Sequence, residues 1–137
     1  MKQEEIEKHI GISSKYHITF STYKRKPIFV NAEIRNFVEK LILKIAFEKK
    51  INIICLNVLA RHVHMLLDKK ENQLLPNVMQ FIKGITTYYF FQKYPEFKWD
   101  LKRSKIWAKG YNETRIKNKQ QLHNVIIYIN DKQNFYD

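Results

Sequence analysis

The sequence predicts an α+β domain: a ferredoxin-like split βαβ antiparallel sheet with helices on one face, plus a C-terminal helix. Three observations predict it. Residues 16–23 (YHITFSTY) and 57–68 (NVLARHVHMLLD) alternate with period two, the signature of half-buried strands. Three longer segments carry apolar residues at i, i+3 and i+4 spacing, the stripe of a packed helix. Their order, β-α-β-β-α-β-α, is that of a split βαβ sheet followed by a terminal helix.

Residues 1–14 form a short lead-in that ends at Gly11 and Ser13-Ser14. The first strand, 16–23, is broken by Lys24-Arg25-Lys26-Pro27. Asn31 suits the N-cap of a helix over 32–50, whose stripe is Ile34, Phe37, Val38, Leu41, Ile42 and Ile45. Residues 51–60 read as a second strand, apolar enough to be central. Residues 61–68 read as a third, joined to it through Ala60-Arg61 without a glycine or asparagine, as a continuous or bent strand pair. Pro76 sits early in a helix over 77–93, and Pro95 stops it. In that helix Tyr88 and Tyr89 belong to an aromatic run (YYFF) that reads as core. A basic loop follows, then a short fourth strand over 106–111 closed by Gly110. The last helix, 119–134, buries Leu122, Val125, Ile126 and Ile129. Tyr128 stands about 100° before Ile129 on that helix, beside the stripe.

A chain of 137 residues suffices for one domain with a core and is short for two, so residues 15–137 read as a single domain. At 45% hydrophobic and 14% aromatic the chain is globular, not disordered. No stretch approaches the roughly 18 apolar residues of a membrane span. The opening MKQEEIEKHI lacks an apolar signal core, so a cytoplasmic location is expected, with no membrane partner. The single Cys55 excludes an internal disulfide and reads as a buried small hydrophobe.

Charge indicates a polyanionic partner. Lys and Arg number 25 against 13 Asp and Glu, a net charge of +12. Half of that excess lies in residues 98–119, where eight basic residues face Asp100 and Glu113 alone. Trp99, Trp107 and Tyr111 are interleaved with them, rings able to stack on unpaired bases.

The most informative residues are His62 and His64. Two positions apart on a strand, they share one face about 7 Å apart along the strand. Neutral imidazoles are common metal ligands, so the pair makes half of a divalent-metal site on a rigid platform. Ordinary half-buried histidines would give the same spacing.

Five segments, in order and spacing, resemble the insertion-sequence-200-like group of single-tyrosine HUH transposases, relatives of the REP-associated tyrosine transposases. They are KYHITFSTYKRKPIF from Lys15, LNVLARHVHMLLD from Leu56, FIKGITTYYFFQKYPEF from Phe81, IWAKGYNET from Ile106 and VIIYINDKQ from Val125. The resemblance implies cleavage and rejoining of single-stranded DNA at imperfect hairpins, through a tyrosine that forms a 5′-phosphotyrosine link. It implies Mg²⁺ or Mn²⁺ held by His62 and His64, Tyr128 as the nucleophile on the C-terminal helix, and a homodimer. Among eight tyrosines, Tyr128 is the one that matches the family's helix.

Two positions depart from the family. One turn after the tyrosine the family usually has Gln or Asn as a further ligand; here Lys132 stands there. Asp131 is the preferred substitute, a hard oxygen suited to Mg²⁺, with Gln133 as the alternative. Before the first histidine stands Ala60-Arg61, where relatives often carry Pro-Asp or Pro-Asn. Candidate DNA contacts are Lys24, Arg25, Lys83, Lys105 and Lys109. Two other readings remain: a non-catalytic single-stranded nucleic-acid-binding protein on the same scaffold, and a hydrolase that uses the histidine pair with water. The second would want more carboxylates than Asp68 nearby.

Overall fold

The computed structural model describes residues 14–101 and 105–131. Its elements are β1 (Lys15–Ser21), a 3-10 turn (Tyr23–Arg25), α1 (Ala32–Glu48), β2 (Asn52–Val58), β3 (His62–Asp68) and α2 (Leu75–Lys93). A single helical turn, α3 (Phe97–Asp100), then β4 (Asn112–Arg115) and α4 (Lys119–Asn130) follow among the described residues. The sheet runs β2-β3-β1-β4 with every neighbouring pair antiparallel. This is the expected ferredoxin-like sheet.

Local chemistry sets the helix starts. Asn31 caps α1, its side chain accepting from the amides of Glu33 at 2.7 Å and Ile34 at 3.4 Å. Asn118 caps α4 by accepting from the Gln121 amide at 2.8 Å. Pro76 lies in the first turn of α2, where its missing N–H costs nothing.

Alternation divides the sheet into two faces. Ile18 and Phe20 of β1, Leu56 and Val58 of β2, and Val63, Met65 and Leu67 of β3 face α1 and α2 and build the main core. The opposite face carries a smaller core: Cys55, Leu66 and Ile116 against Leu122 and Ile129 of α4. So α1 and α2 cover one face, and the C-terminal helix lies on the other.

Several expectations are corrected. The strand predicted over 106–111 is displaced to Asn112–Arg115. Ile106 and Trp107 are buried in the main core, and the stretch makes one bridge, Thr22 to Trp107, before Gly110 turns the chain at φ 84°. The chain then pairs along the outer edge of β1. Residues 59–62 make a hairpin tip, with the Leu59 amide donating to the His62 carbonyl at 2.8 Å, so β2 and β3 are separate strands. Tyr88 and Tyr89 are 59% and 46% exposed, because α2 turns Phe90 and Phe91 inward instead. The last helix ends at Asn130, and the expected lead-in over 1–14 lies outside the described residues except for Ser14.

The segment after α3 is pinned to α2. The Trp107 indole N–H donates to Thr86 Oγ1 at 2.8 Å, and Thr86 in turn donates to the Ile82 carbonyl at 2.7 Å. Lys83 Nζ donates to the carbonyls of Ala108 and Gly110, both at 2.7 Å. Thr86→Val should therefore strand a buried indole N–H and cost about 1–3 kcal/mol in urea denaturation. Adding Trp107→Phe should cost less than the two single changes summed, because the donor disappears with its acceptor.

Candidate functional site

The site is assembled on the smaller face of the sheet. β1 and β2 flank β3, and the register sets Thr19 and Asn57 on either side of His64. α4 crosses above, anchored by Leu122 and Ile129. Tyr128, one residue before buried Ile129, is left 60% exposed beside the histidines. Its ring centroid lies 5.2 Å from that of His64 and 6.2 Å from that of His17, edge-on to both. The structure thus brings His62 and His64 of β3 together with Tyr128 of α4, two segments far apart in sequence, with the helix lying on its own chain's sheet.

The histidines form a chain of imidazoles. His62 Nε2 and His64 Nε2 are 2.9 Å apart, and His64 Nδ1 is 3.0 Å from His17 Nε2. Two lone pairs at the first distance repel, so the gap holds one proton or one cation. Two nitrogens bound cis to an octahedral ion at about 2.1 Å stand about 3.0 Å apart. The pair therefore fits a divalent cation. A neutral His64 with its proton on Nδ1 donates to His17 and keeps its Nε2 lone pair towards His62.

Burial keeps His64 neutral. It is only 8% exposed. Burial chiefly, then like-charge repulsion from His62 and His17, lowers its pKa from 6.5 to about 4. Burial also lowers the pKa of His17.

The third ligand stands differently. Among the described residues no three His, Cys, Asp or Glu side chains gather as a metal site. Asp131 is the C-cap of α4, and its backbone carbonyl accepts from Asn57 Nδ2 at 3.2 Å. Its carboxylate is not gathered with the two histidines, and Gln133 lies outside the described residues.

The basic candidates fall into two groups. Lys24 and Arg25 occupy a turn with φ of 53° and 51°, a conformation costly for residues other than glycine. It is braced by Arg61 Nη1 donating to the Arg25 carbonyl at 2.6 Å and by Arg25 Nη1 donating to Ser21 Oγ at 3.1 Å. Lys83, Lys105 and Lys109 line a pocket of about 490 Å³ with Tyr23 and Trp107. Burial lowers the pKa of Lys83, and two of its three N–H donors are committed to backbone carbonyls.

Two site residues escaped the sequence reading. His17 shares the face of His64 through the β1–β3 register. Its signal was its place among Thr19 and Ser21 on the polar side of an alternating strand. Asn57, 6% exposed, ties the end of α4 to the sheet. Only a buried polar residue in an apolar strand hinted at it.

The fold is shared with a crystal structure described as a transposase of Deinococcus radiodurans (TM-score 0.69, 20% identity, 88% of this chain and 91% of that one). It is also shared with a REP-associated tyrosine transposase bound to a REP hairpin (TM-score 0.64, 17% identity, 87% of this chain and 66% of that one). The chain belongs to the IS200-like transposase family, whose model matches residues 12–132. It is 26% identical over 111 residues to the transposase of insertion sequence element IS200 from Salmonella typhimurium, across 81% of this chain and 72% of that protein. It is also 26% identical over 96 residues to the ISDra2 transposase TnpA of Deinococcus radiodurans, across 70% of this chain and 68% of that protein. No helix among the described residues is long and apolar enough to cross a membrane.

The lowered pKa of His64 has a measurable consequence. Between its unfolded value of 6.5 and its folded value of about 4, the unfolded chain binds more protons at this group. Its contribution is complete above pH 6.5 and is lost progressively as pH falls towards 4. In EDTA, the urea midpoint should drop over that window, and drop less in His64→Gln. Equal losses in both proteins would remove His64 as the source.

Proposed function

We propose that this transposase binds single-stranded DNA bearing a hairpin and cuts and rejoins it through a 5′-phosphotyrosine link to Tyr128, with Mg²⁺ or Mn²⁺ held at His62 and His64. The observation that carries the reading is the approach of Tyr128 to His64, 5.2 Å between ring centroids, on the face of the sheet that α4 crosses. The tyrosine oxygen attacks the scissile phosphorus. The P–O3′ bond breaks, and the released 3′-OH takes up the proton the phenol gives off. One phosphodiester bond replaces another, so rejoining by the reverse attack needs no nucleotide cofactor. A divalent cation, when bound, neutralises charge developing on the phosphate and orients it.

The chain's own residues do the rest. His17 holds the His64 tautomer that leaves Nε2 unprotonated. Asn57 fixes the end of the tyrosine helix. A further oxygen for the cation would come from Asp131, whose carboxylate would have to turn towards the pair, or from Gln133 in its place. Lys24, Arg25, Lys105, Lys109 and the remaining donor of Lys83 contact phosphates, which sets position and most affinity. The REP-associated tyrosine transposase that shares this fold is bound to a REP hairpin, which supports the hairpin as ligand. The outer edge of β2, where Ile54 bulges out 40% exposed, is available for a homodimer.

Tyr128→Phe should keep fold and hairpin affinity yet lose strand cleavage and the covalent protein–DNA adduct. Peptide mapping of an adduct trapped on a 5′-phosphate should give Tyr128; a map to Tyr111 or Tyr136 would overturn the assignment. His62→Ala and His64→Ala should abolish cleavage with binding held within a few-fold. Of Asp131→Ala and Gln133→Ala, the one that raises the Mn²⁺ requirement identifies the oxygen ligand.

Light scattering at tens of micromolar should report twice the chain mass of 16.7 kDa. A fully active species of single-chain mass would remove the dimer.

A further inference from the structure

Tyr128 opens onto a cleft of about 620 Å³ between β1 and α4, whose amide-bearing wall the cleavage chemistry does not use. His17 forms one wall, and Asn118, Gln120, Gln121 and Asn124 form the other. Gln120, Asn124 and Tyr128 recur at i, i+4 and i+8, one ridge along the helix with steps of about 6 Å. The composition of that ridge is unusual for this chain. Charged residues make up 28% of the sequence, yet none occurs from Gln120 to Asn130. An exposed helix face that serves only solubility or phosphate attraction would carry lysines here, as the rest of the chain does. Uncharged amides read hydrogen-bond patterns instead.

Their bonding shows which groups are free to read. Asn118 Oδ1 is committed to the helix cap, accepting from the Gln121 amide at 2.8 Å. Gln121 Oε1 accepts from the Lys117 amide at 2.7 Å. Gln120 Nε2 donates to Asn124 Oδ1 at 3.0 Å, locking the two side chains together. That lock leaves Gln120 Oε1 as an acceptor beside Asn124 Nδ2 as a donor, both at solvent. An acceptor next to a donor on a preorganised amide pair complements an amino group beside a ring nitrogen, the arrangement adenine presents at N6 and N7.

We propose that this cleft is a nucleobase-reading subsite that takes the base of the nucleotide next to the scissile phosphate, with adenine matched best. The placement rests on Tyr128 as the nucleophile, since one ridge step from Tyr128 reaches Asn124. Sequence choice at the cut is then made in part by protein side chains.

The test uses Tyr128→Phe full-length protein, which binds without cleaving, and a randomised pool of single-stranded DNA. Selection by binding should enrich adenine at one position. Adding Asn124→Ala or Gln120→Ala should flatten that position alone and weaken binding of the best oligonucleotide about tenfold. Both side chains are exposed, so melting temperatures should stay unchanged. Wild-type protein with Mn²⁺ should cut directly beside the enriched adenine. Enrichment that survives both alanine changes, or no enriched base, would overturn the subsite even if wild-type cleaves. An adenine preference lost in the variants, with no cleavage by wild-type, would instead sink the nucleophile and leave the base-reading cleft. Cleavage remote from the enriched base would overturn the placement.

Discussion

The site depends on the position of β3, paired along its whole length on both sides. A strand with two neighbours cannot shift register by one residue without exchanging its faces. Here such a slip would drive His62 and His64 into the main core and expel Val63 and Met65. The hairpin tip enforces the register from outside the sheet. Ala60 is fully buried, and its carbonyl accepts from the Phe29 amide at 3.1 Å. The Arg61 carbonyl accepts from both the amide and the hydroxyl of Thr22, at 2.8 and 3.0 Å. Small Ala60 fits under that contact.

The two faces differ in strength, and the difference suits them. α1 and α2 bury a continuous apolar core that includes Phe29, Ile42, Met79, Ile82 and Phe90. α4 is held by Leu122 and Ile129 with partial help from Val125 and Ile126. An element with few buried contacts opens at lower cost than the core. Asn57 counters this at one point, bonding to the helix end next to the tyrosine turn. The docking also has a chemical effect. Tyr128 packs edge-on to His64, and the burial of His64 is what lowers its pKa to about 4. Tyr128 thus packs against an imidazole that burial chiefly keeps neutral.

How much was legible follows from which residues carry periodicity. The strand bearing His62 and His64, the Asn31 cap and the α4 stripe were readable because one face of each is buried and the other is not. β4 was not readable. Asn112, Glu113, Thr114 and Arg115 are all exposed, and the strand exists because β1 offers an unpaired edge. Tyr88 and Tyr89 were misread because four consecutive aromatics on a helix span every direction, and composition alone does not say which pair turns inward. His17 and Asn57 join the site through register between strands distant in sequence, which no local pattern encodes. Lys83 read as a candidate DNA contact. Its bonds to Ala108 and Gly110 make it first a brace for the segment that follows α3.

The distribution of charge separates attraction from chemistry. A net charge of +12 draws a polyanion to the chain as a whole. The face around His62, His64 and Tyr128 meets uncharged α4 residues from Gln120 to Asn130. Lysines placed on that ridge would bind phosphate well. They would also repel a divalent cation at the histidine pair, and repulsion between charges a few ångströms apart in a partly buried site is costly. Under the proposed chemistry the cation must bind first to imidazoles that carry no charge of their own. A neutral ridge lets it do so, and the phosphate then meets positive charge only where the cation is. The basic turn at Lys24-Arg25 and the lysines around Trp107 can hold the rest of the strand without competing for that place.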